Sequence, residues 1–447
     1  MRRGERIALF AAILLVFCLC SSVYAVDLRG VDIHGFVSQG YLKTDDVNYL
    51  ADTEKGTYQF NEAGINFNYT HDKLRVGAQL FSRDLGDLGN NDVKLDWAMG
   101  EYRMFDELGV RAGRIKMPFG LYNQGRDIDL LRTPVFLPQA VYEEGARDLL
   151  SGVNGFGLFG NIDARVMGDL EYEAFLGATE MEEDSIFLQG TVEMFEKGLI
   201  AGLPAGVMGG ISDVSIDNKI VAGGALRWGT PLPGLRLGAS FLWGENDVEG
   251  AMSVGVPPIP ANTVFPGQPA FAGMETQGVV DVESSIDDGW VYSAEFVHEN
   301  LTLAAEYTTL RLSQKTKITG LDFSTLPAWM GVTGLPPVPD QTGQSQGWYI
   351  MGSYQFFEWM TLGLYYNAYY SSAGDKDGQR YIDQGLPASY AWQKEWVPSL
   401  RFDPVKNWVI KLETRFIDGS ARCYNYNNTN GRPDDWVLYA IKTSFSF

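Results

Sequence analysis

The chain has 447 residues and a mass of 49.6 kDa, and its formal net charge of −21 is spread along its whole length. Such acidity excludes a nucleic-acid binder, which needs a basic face to meet phosphate. With 45% hydrophobic and 13% aromatic residues the chain is too apolar to remain unfolded, and its 51 glycines point to many strands and turns.

The N-terminus comes first. Arg2, Arg3 and Arg6 precede an apolar run over residues 7–20, and Val23-Tyr24-Ala25 supplies a small-x-small cleavage site. This pattern predicts a secretory signal over residues 1–25, with residues 26–447 forming one exported domain. The apolar run is shorter than the ~20 residues a spanning helix needs. Neither Cys18 nor Cys20 follows the small residue of a lipoprotein signal. Both leave with the signal, so Cys423 remains alone and no internal disulfide can close. No later run of about 18 apolar residues follows. The remaining choices are a soluble exported β protein or an outer-membrane barrel.

Alternation and connection lengths decide between them. Leu74, Val76, Ala78 and Leu80 oppose Arg75, Gly77, Gln79 and Arg83; Leu235, Leu237, Ala239, Phe241 and Trp243 oppose Arg236, Gly238 and Ser240; Trp408, Ile410, Leu412, Thr414 and Phe416 oppose Val409, Lys411, Glu413 and Arg415. Strands are predicted over 31–43, 58–70, 73–83, 93–104, 109–116, 154–162, 169–178, 218–229, 235–243, 289–297, 301–311, 346–356, 360–370, 391–402, 408–416 and 436–447. Short turns such as His71-Asp72 alternate with long polar or Pro/Gly-rich stretches over 44–57, 84–92, 117–152, 179–217, 244–288, 312–345, 371–390 and 417–435. Short connections on one side and long ones on the other are the layout of an outer-membrane barrel. The expected fold is therefore all-β: a transmembrane antiparallel β-barrel of sixteen strands with long extracellular loops. The even count puts both termini on the periplasmic side.

Trp228, Trp243, Trp290, Trp348 and Trp408 fall at predicted strand ends on the apolar face, as an interfacial girdle does. The chain ends in alternating Tyr439, Ile441, Thr443, Phe445 and Phe447. A last strand stopping at an aromatic carboxyl terminus resembles the assembly signal read by the barrel assembly machinery. Enzyme chemistry is not signalled. His34, His71 and His298 show no metal-ligand spacing, no serine stands in a catalytic context, and no phosphate loop is present. The acidic run Glu180, Glu182, Glu183 and Asp184 reads as a solvated loop face. No cofactor or metal is expected.

A barrel of sixteen strands is wide enough for an aqueous lumen, so function depends on what narrows it. The third long loop joins apolar anchors (Pro118, Phe119, Leu121, Pro134, Phe136, Leu137, Pro138) to charges. A loop folded into the lumen would bury those anchors on the wall and offer its charges to the passage. The candidate constriction is Arg114, Lys116, Arg126, Asp127, Asp129, Arg132, Glu144 and Arg147. The candidate lumen wall is Arg75, Arg83, Arg227, Arg236, Arg401, Lys411 and Arg415, which share the non-lipid face because a cation facing lipid at mid-depth costs about 2–4 kcal/mol. Inward cations favour anions weakly; acid in the outer loops opposes them.

Three segments carry a family resemblance: His34-Gly-Phe-Val-Ser-Gln-Gly-Tyr41, Gly113-Arg-Ile-Lys-Met-Pro-Phe-Gly-Leu-Tyr-Asn-Gln-Gly-Arg-Asp127 and Arg132-Thr-Pro-Val-Phe-Leu-Pro-Gln-Ala-Val-Tyr142. They resemble Gram-negative outer-membrane porins of the phosphate-selective type and their relatives, over the first 160 residues. The resemblance implies a sixteen-stranded trimer in the outer membrane, passing small hydrophilic solutes or ions passively, with Arg114, Lys116, Pro118, Phe119 and Gly120 leading into the constriction loop. The lysine and arginine ladder is sparser here than in phosphate-selective members. A substrate-specific channel and a non-conducting structural or adhesin barrel are the alternatives.

Overall fold

The computed structural model describes residues 26–28, 30–86, 88–180, 208–264, 266–324, 338–423, 428 and 431–447; the expected signal segment lies outside them. A three-residue strand, β1 (Val26–Leu28), pairs with the start of β2 (Val31–Thr44). Then follow β3 (Asn61–His71), β4 (Leu74–Asp84), β5 (Val93–Phe105), β6 (Leu108–Lys116), β7 (Gly152–Asp163), β8 (Asp169–Ala178), β9 (Met208–Gly229) and β10 (Leu235–Val256). The series continues with β11 (Met274–His298), β12 (Leu301–Thr319), β13 (Gln341–Phe357), β14 (Met360–Tyr370), β15 (Trp392–Val405), β16 (Trp408–Asp418) and β17 (Asp435–Ser446). Each strand is antiparallel to the next, and β17 returns to β2. Strands β2–β17 thus form a closed sixteen-stranded barrel, and closure leaves no sheet edge with unpaired N–H and C=O groups.

The carboxyl terminus completes that closure. The Gly35 N–H donates to the Phe447 carbonyl at 3.0 Å, and the Phe447 N–H donates back to the Gly35 carbonyl at 2.9 Å. A Cβ on Gly35 would lie 2.5 Å from the Phe447 ring, so the ring needs a glycine beneath it.

The period-two pattern sorts side chains as a lipid-facing barrel requires. On β4, Leu74, Val76 and Leu80 are exposed, while Gly77, Gln79, Phe81 and Arg83 are buried. Leu303, Ile350, Leu362, Leu364, Leu412 and Ile441 continue the outward belt on other strands. Aromatic rows mark its edges. Beside the short turns, Trp228 Nε1 donates to the Met167 carbonyl and Trp408 Nε1 to Thr443, each at 2.7 Å. Towards the long connections Trp290 packs on Phe241, and Tyr366 packs between Trp348 and Trp396, with ring centroids 4.7–5.4 Å apart. Among the described residues no helix is long and apolar enough to cross a membrane.

One expectation about the connections is corrected. Residues 244–256, 274–288 and 312–319, read from the sequence as loop, are strand: β10 pairs with β11 as far as Val256↔Met274, and β11 with β12 as far as Val279↔Thr319. Strand β13 likewise begins at Gln341, and β9 at Met208. Pairing continues past the aromatic row because it has its own apolar support. Met252, Val254, Val256, Val280 and Val282 are buried, with Ile259, Phe271, Leu321 and Phe323 packed against them. The acidic residues between these apolar positions concealed the alternation.

The remaining apolar cores lie inside the barrel. One gathers Ile115, Met117, Phe119, Leu137, Val141 and Tyr142 against wall residues of β8–β15, including Phe175, Leu242, Val291 and Tyr349. The other gathers Val47, Tyr49, Phe60, Leu88, Val135, Phe136, Cys423 and Trp436. The first, second and last long connections therefore pack against the third.

Candidate functional site

The connection between β6 and β7, residues 117–151, is L3. It contains two single 3-10 turns (Asn123–Gly125 and Asp129–Leu131) and a short helix (Arg147–Ser151). Its apolar side chains draw it inward, since burying a Phe or Leu side chain stabilises by about 1.5–3 kcal/mol. Gly120 makes the turn at φ +66°; a Cβ there would lie 2.4 Å from the Tyr142 hydroxyl and 2.9 Å from Glu306 Oε1.

Polar contacts tie L3 to strands on opposite sides of the barrel. The Gly120 N–H donates to Ser240 Oγ on β10 at 3.0 Å, and the Leu121 N–H to Glu306 on β12 at 2.9 Å. Tyr122 donates to Glu295 on β11, and Gln124 to Glu173 on β8. Across the lumen, Arg401 on β15 donates to the Leu130 carbonyl at 2.6 Å, and Lys411 on β16 to the Pro134 carbonyl at 3.1 Å. Glu413 on β16 accepts from the Val135 and Phe136 N–H groups at 2.7 and 3.3 Å.

Seven of the eight charges assigned from the sequence to the constriction are engaged with each other or with the wall, and Arg114 stands apart from them. Asp127 takes Lys116 and Arg147. Lys116 also reaches Asp96 on β5 at 3.0 Å, and Arg147 reaches Glu62 on β3 at 3.7 Å. Glu144 joins Arg126 (3.1 Å) and Arg83 on β4 (3.2 Å). Asp129 meets Arg132 (3.1 Å), Lys411 (3.4 Å) and Lys442 on β17 (2.7 Å), and accepts from Ser444 at 2.6 Å. Arg114 lies further out and pairs with the exposed Glu180. Arg126, Asp127, Asp129, Glu144 and Arg147 are all buried. They do not offer free charge to a passage as the sequence reading supposed: the wall carries the complementary charges, and burial without partners is too costly.

The seven wall cations occupy inward positions, and each has a carboxylate partner. Arg75–Glu101 (3.1 Å), Arg111–Glu101 (3.2 Å), Arg111–Glu173 (2.7 Å) and Arg227–Glu173 (2.7 Å) form a ladder from β4 to β9. Arg236 pairs with Glu295 (2.7 Å), Arg401 with Asp403 (2.7 Å), and Arg415 with Glu395. Arg83 and Lys411 engage L3, as above. The partners Glu62, Asp96, Glu101, Arg111, Glu173, Glu306, Glu395 and Lys442 escaped the sequence reading. Their signal was available, since each sits on the inward parity of a strand where an outward charge would face lipid.

Open space remains on both sides of L3. Towards the short turns a cavity of about 800 Å³ is lined by Tyr122, Arg132 and Leu137 of the loop and Glu295, Trp359 and Arg401 of the wall. Towards the long connections a cavity of about 270 Å³ is lined by Arg83, Lys94, Arg114, Arg147, Asp92 and Asp96. Among the described residues no group of three or more His, Cys, Asp or Glu is placed to hold a metal ion. Of the acidic run at 180–184, Glu182, Glu183 and Asp184 lie outside the described residues.

No protein-family model matches the chain, and no curated protein matches it. Solved structures do. OmpF of Salmonella typhi, solved in complex with daunomycin, matches with a TM-score of 0.52 at 12% identity, over 93% of this chain and 97% of that one. The outer-membrane channel DcaP of Acinetobacter baumannii gives 0.48 at 12% identity, over 95% of this chain and 100% of that one. The anion-selective porin from Comamonas acidovorans gives 0.46 at 11% identity, over 93% and 99%. Likeness at this level concerns the fold alone, and the OmpF match gives this chain a porin-like barrel fold. With the lipid-facing belt, it describes a β-barrel that crosses a membrane with its strands. It does not single out the phosphate-selective type.

Proposed function

We propose that the protein is a passive diffusion channel for small hydrophilic solutes, narrowed by L3 and open to the periplasm through the larger cavity. One observation carries this reading: L3 crosses the lumen of a closed sixteen-stranded barrel, bonded to opposite walls by polar contacts, with polar space on either side of it. The long connections then face outward from the cell. The apolar packing of L3 against both walls favours small or selected solutes over a wide sieve.

The pairing of the wall cations bears on selectivity. A cation neutralised at 2.7–3.4 Å by a carboxylate contributes little to the field felt by a passing ion. We infer that the constriction has no strong anion preference, and that a phosphate-selective role is unsupported. By the family resemblance the channel is a homotrimer, and the closing strand at Phe447 is the segment that the assembly machinery would read.

Planar-bilayer recording of the purified protein tests the reading. Removing residues 126–144 should raise conductance if L3 narrows the passage. An unchanged current through a folded deletion variant would sink the constriction role. A silent membrane for both would move the assignment to a structural barrel.

A further inference from the structure

L3 is held to the wall by ion pairs and by hydrogen bonds, and two wall carboxylates take part in the hydrogen bonds alone. Glu306 on β12 and Glu413 on β16 are fully buried carboxylates, and neither forms an ion pair with a described cation. Both direct their oxygens at the backbone of L3. Glu306 Oε1 accepts from the Leu121 N–H (2.9 Å) and from Ser293 Oγ (2.5 Å). Its Oε2 accepts from the Tyr349 hydroxyl (2.7 Å) and the Tyr142 hydroxyl. The Tyr142 hydroxyl in turn accepts from the Tyr122 N–H at 3.0 Å, so this carboxylate organises the first turn of L3 and its returning limb together. Glu413 Oε2 accepts from the Val135 and Phe136 N–H groups at the far side of the loop, while its Oε1 is buried without a partner.

The surroundings explain why these bonds depend on charge. Around Glu306 stand Tyr122 and Tyr142 from L3 and Tyr349 from β13; Glu295, beyond Tyr122 on β11, is held by Arg236. Around Glu413 stand Tyr365 on β14 and Glu395 on β15. The cations in that region are engaged elsewhere: Arg415 with Glu395, Arg401 with Asp403, and Lys411, Lys442 and Arg132 with Asp129. An ionised carboxylate offers lone pairs in every direction needed by the four donors at Glu306 and the two amides at Glu413. A neutral group lacks that capacity at Glu306, and at Glu413 it keeps the acceptor but not the charge that strengthens both bonds. Protonation of Glu306 puts an O–H on an oxygen that already faces donors; at Glu413 the proton can fall on the partnerless Oε1, and the two amide bonds to Oε2 then lose their charge assistance, with no neighbouring ion pair to replace the lost attraction.

We propose that Glu306 and Glu413 are the positioning residues that hold L3 across the lumen, and that neutralising them frees the loop and widens the channel. The widening rests on the diffusion-channel reading; the hold on the loop does not. Two measurements separate them. Hydrogen exchange of peptides spanning residues 118–137, in detergent at neutral pH, should be about tenfold faster in the Glu306→Gln/Glu413→Gln double variant than in wild type. Single-channel current through wild type should rise severalfold from neutral to mildly acidic pH, and the double variant should show the raised current at neutral pH with little further change. Unaltered exchange in a folded double variant would overturn the proposal, as would a current that falls on acidification. If the double variant does not fold, the wild-type exchange and current across the same pH range decide the matter: no change in either overturns it. Faster exchange in a barrel silent throughout, including after removal of residues 126–144, would retain the positioning role and reject the channel.

Discussion

Gly157 on β7 leaves the gap through which Arg111 on β6 crosses to Glu173 on β8. A Cβ at Gly157 would lie 2.9 Å from Arg111 Cγ, and the crossing guanidinium meets Glu173 at 2.7 Å. Arg111 also rests on the Phe159 ring, 4.4 Å from its centroid, and reaches back to Glu101 at 3.2 Å. A missing side chain on one strand thus makes the ladder from Arg75 to Arg227 continuous. The first prediction follows. Gly157→Val should displace Arg111 and leave buried charges without partners, at about 3–5 kcal/mol. The unfolding temperature, followed by heat-modifiable gel mobility, should drop clearly, and Gly157→Ala should fall between. Wild-type stability for the valine variant would show that the ladder carries no weight.

Asp129 faces three cations, Arg132, Lys411 and Lys442, and removing its charge leaves them close together in a buried place. Asp129→Asn is expected to destabilise by about 3–5 kcal/mol. Lys411→Met in the same chain should recover part of that loss, because it removes one of the stranded cations. A double-mutant cycle on unfolding midpoints checks this; strictly additive effects would argue against the cluster acting as a unit.

Selectivity should respond to exposure rather than to cation number. The Arg75 side chain is 47% exposed and that of Arg227 is 10% exposed, although both lie on the same ladder. Arg75→Ala should shift the reversal potential under a salt gradient further towards cations than Arg227→Ala does. For wild type itself the reversal potential should lie near zero. A strong anion-selective potential would contradict the neutralised wall.

Cys423 lies in the connection between β16 and β17, 3% exposed among Val47, Tyr49 and Trp436. Burial pushes its thiol up to about 12. At pH 8 roughly one molecule in ten thousand then carries the reactive thiolate. Folded protein should resist iodoacetamide, and heat-denatured protein should react fully. Rapid labelling of the folded barrel would show that the inward packing of this connection opens readily.

How much of this was legible beforehand differs by element. The strand stretches nearest the short turns were readable because lipid imposes a one-residue alternation on them: an arginine such as Arg236, between Leu235 and Leu237, has one permissible direction. Beyond the aromatic row no lipid enforces the rule. The strands through Met252 and Val280 were therefore read as loop, although loop residues such as Phe271 give them a small core of their own. L3 was marked by its apolar anchors, but its charges were misjudged. Arg147 or Asp127 in isolation reads as a group facing water, and its partners lie outside the loop, at Glu62 on β3 and Lys116 at the end of β6.

The sequence by itself determined the class of molecule: strand number, inward and outward faces, and the connection that enters the lumen are all local patterns dictated by the solvent on each side. The tertiary structure alone decided what the interior charges do. Pairs such as Lys442–Glu62 form because closing the barrel sets their strands at fixed registers. Whether a buried charge is neutralised by a carboxylate or left to act on a solute depends on those distances, which no stretch of the chain encodes locally.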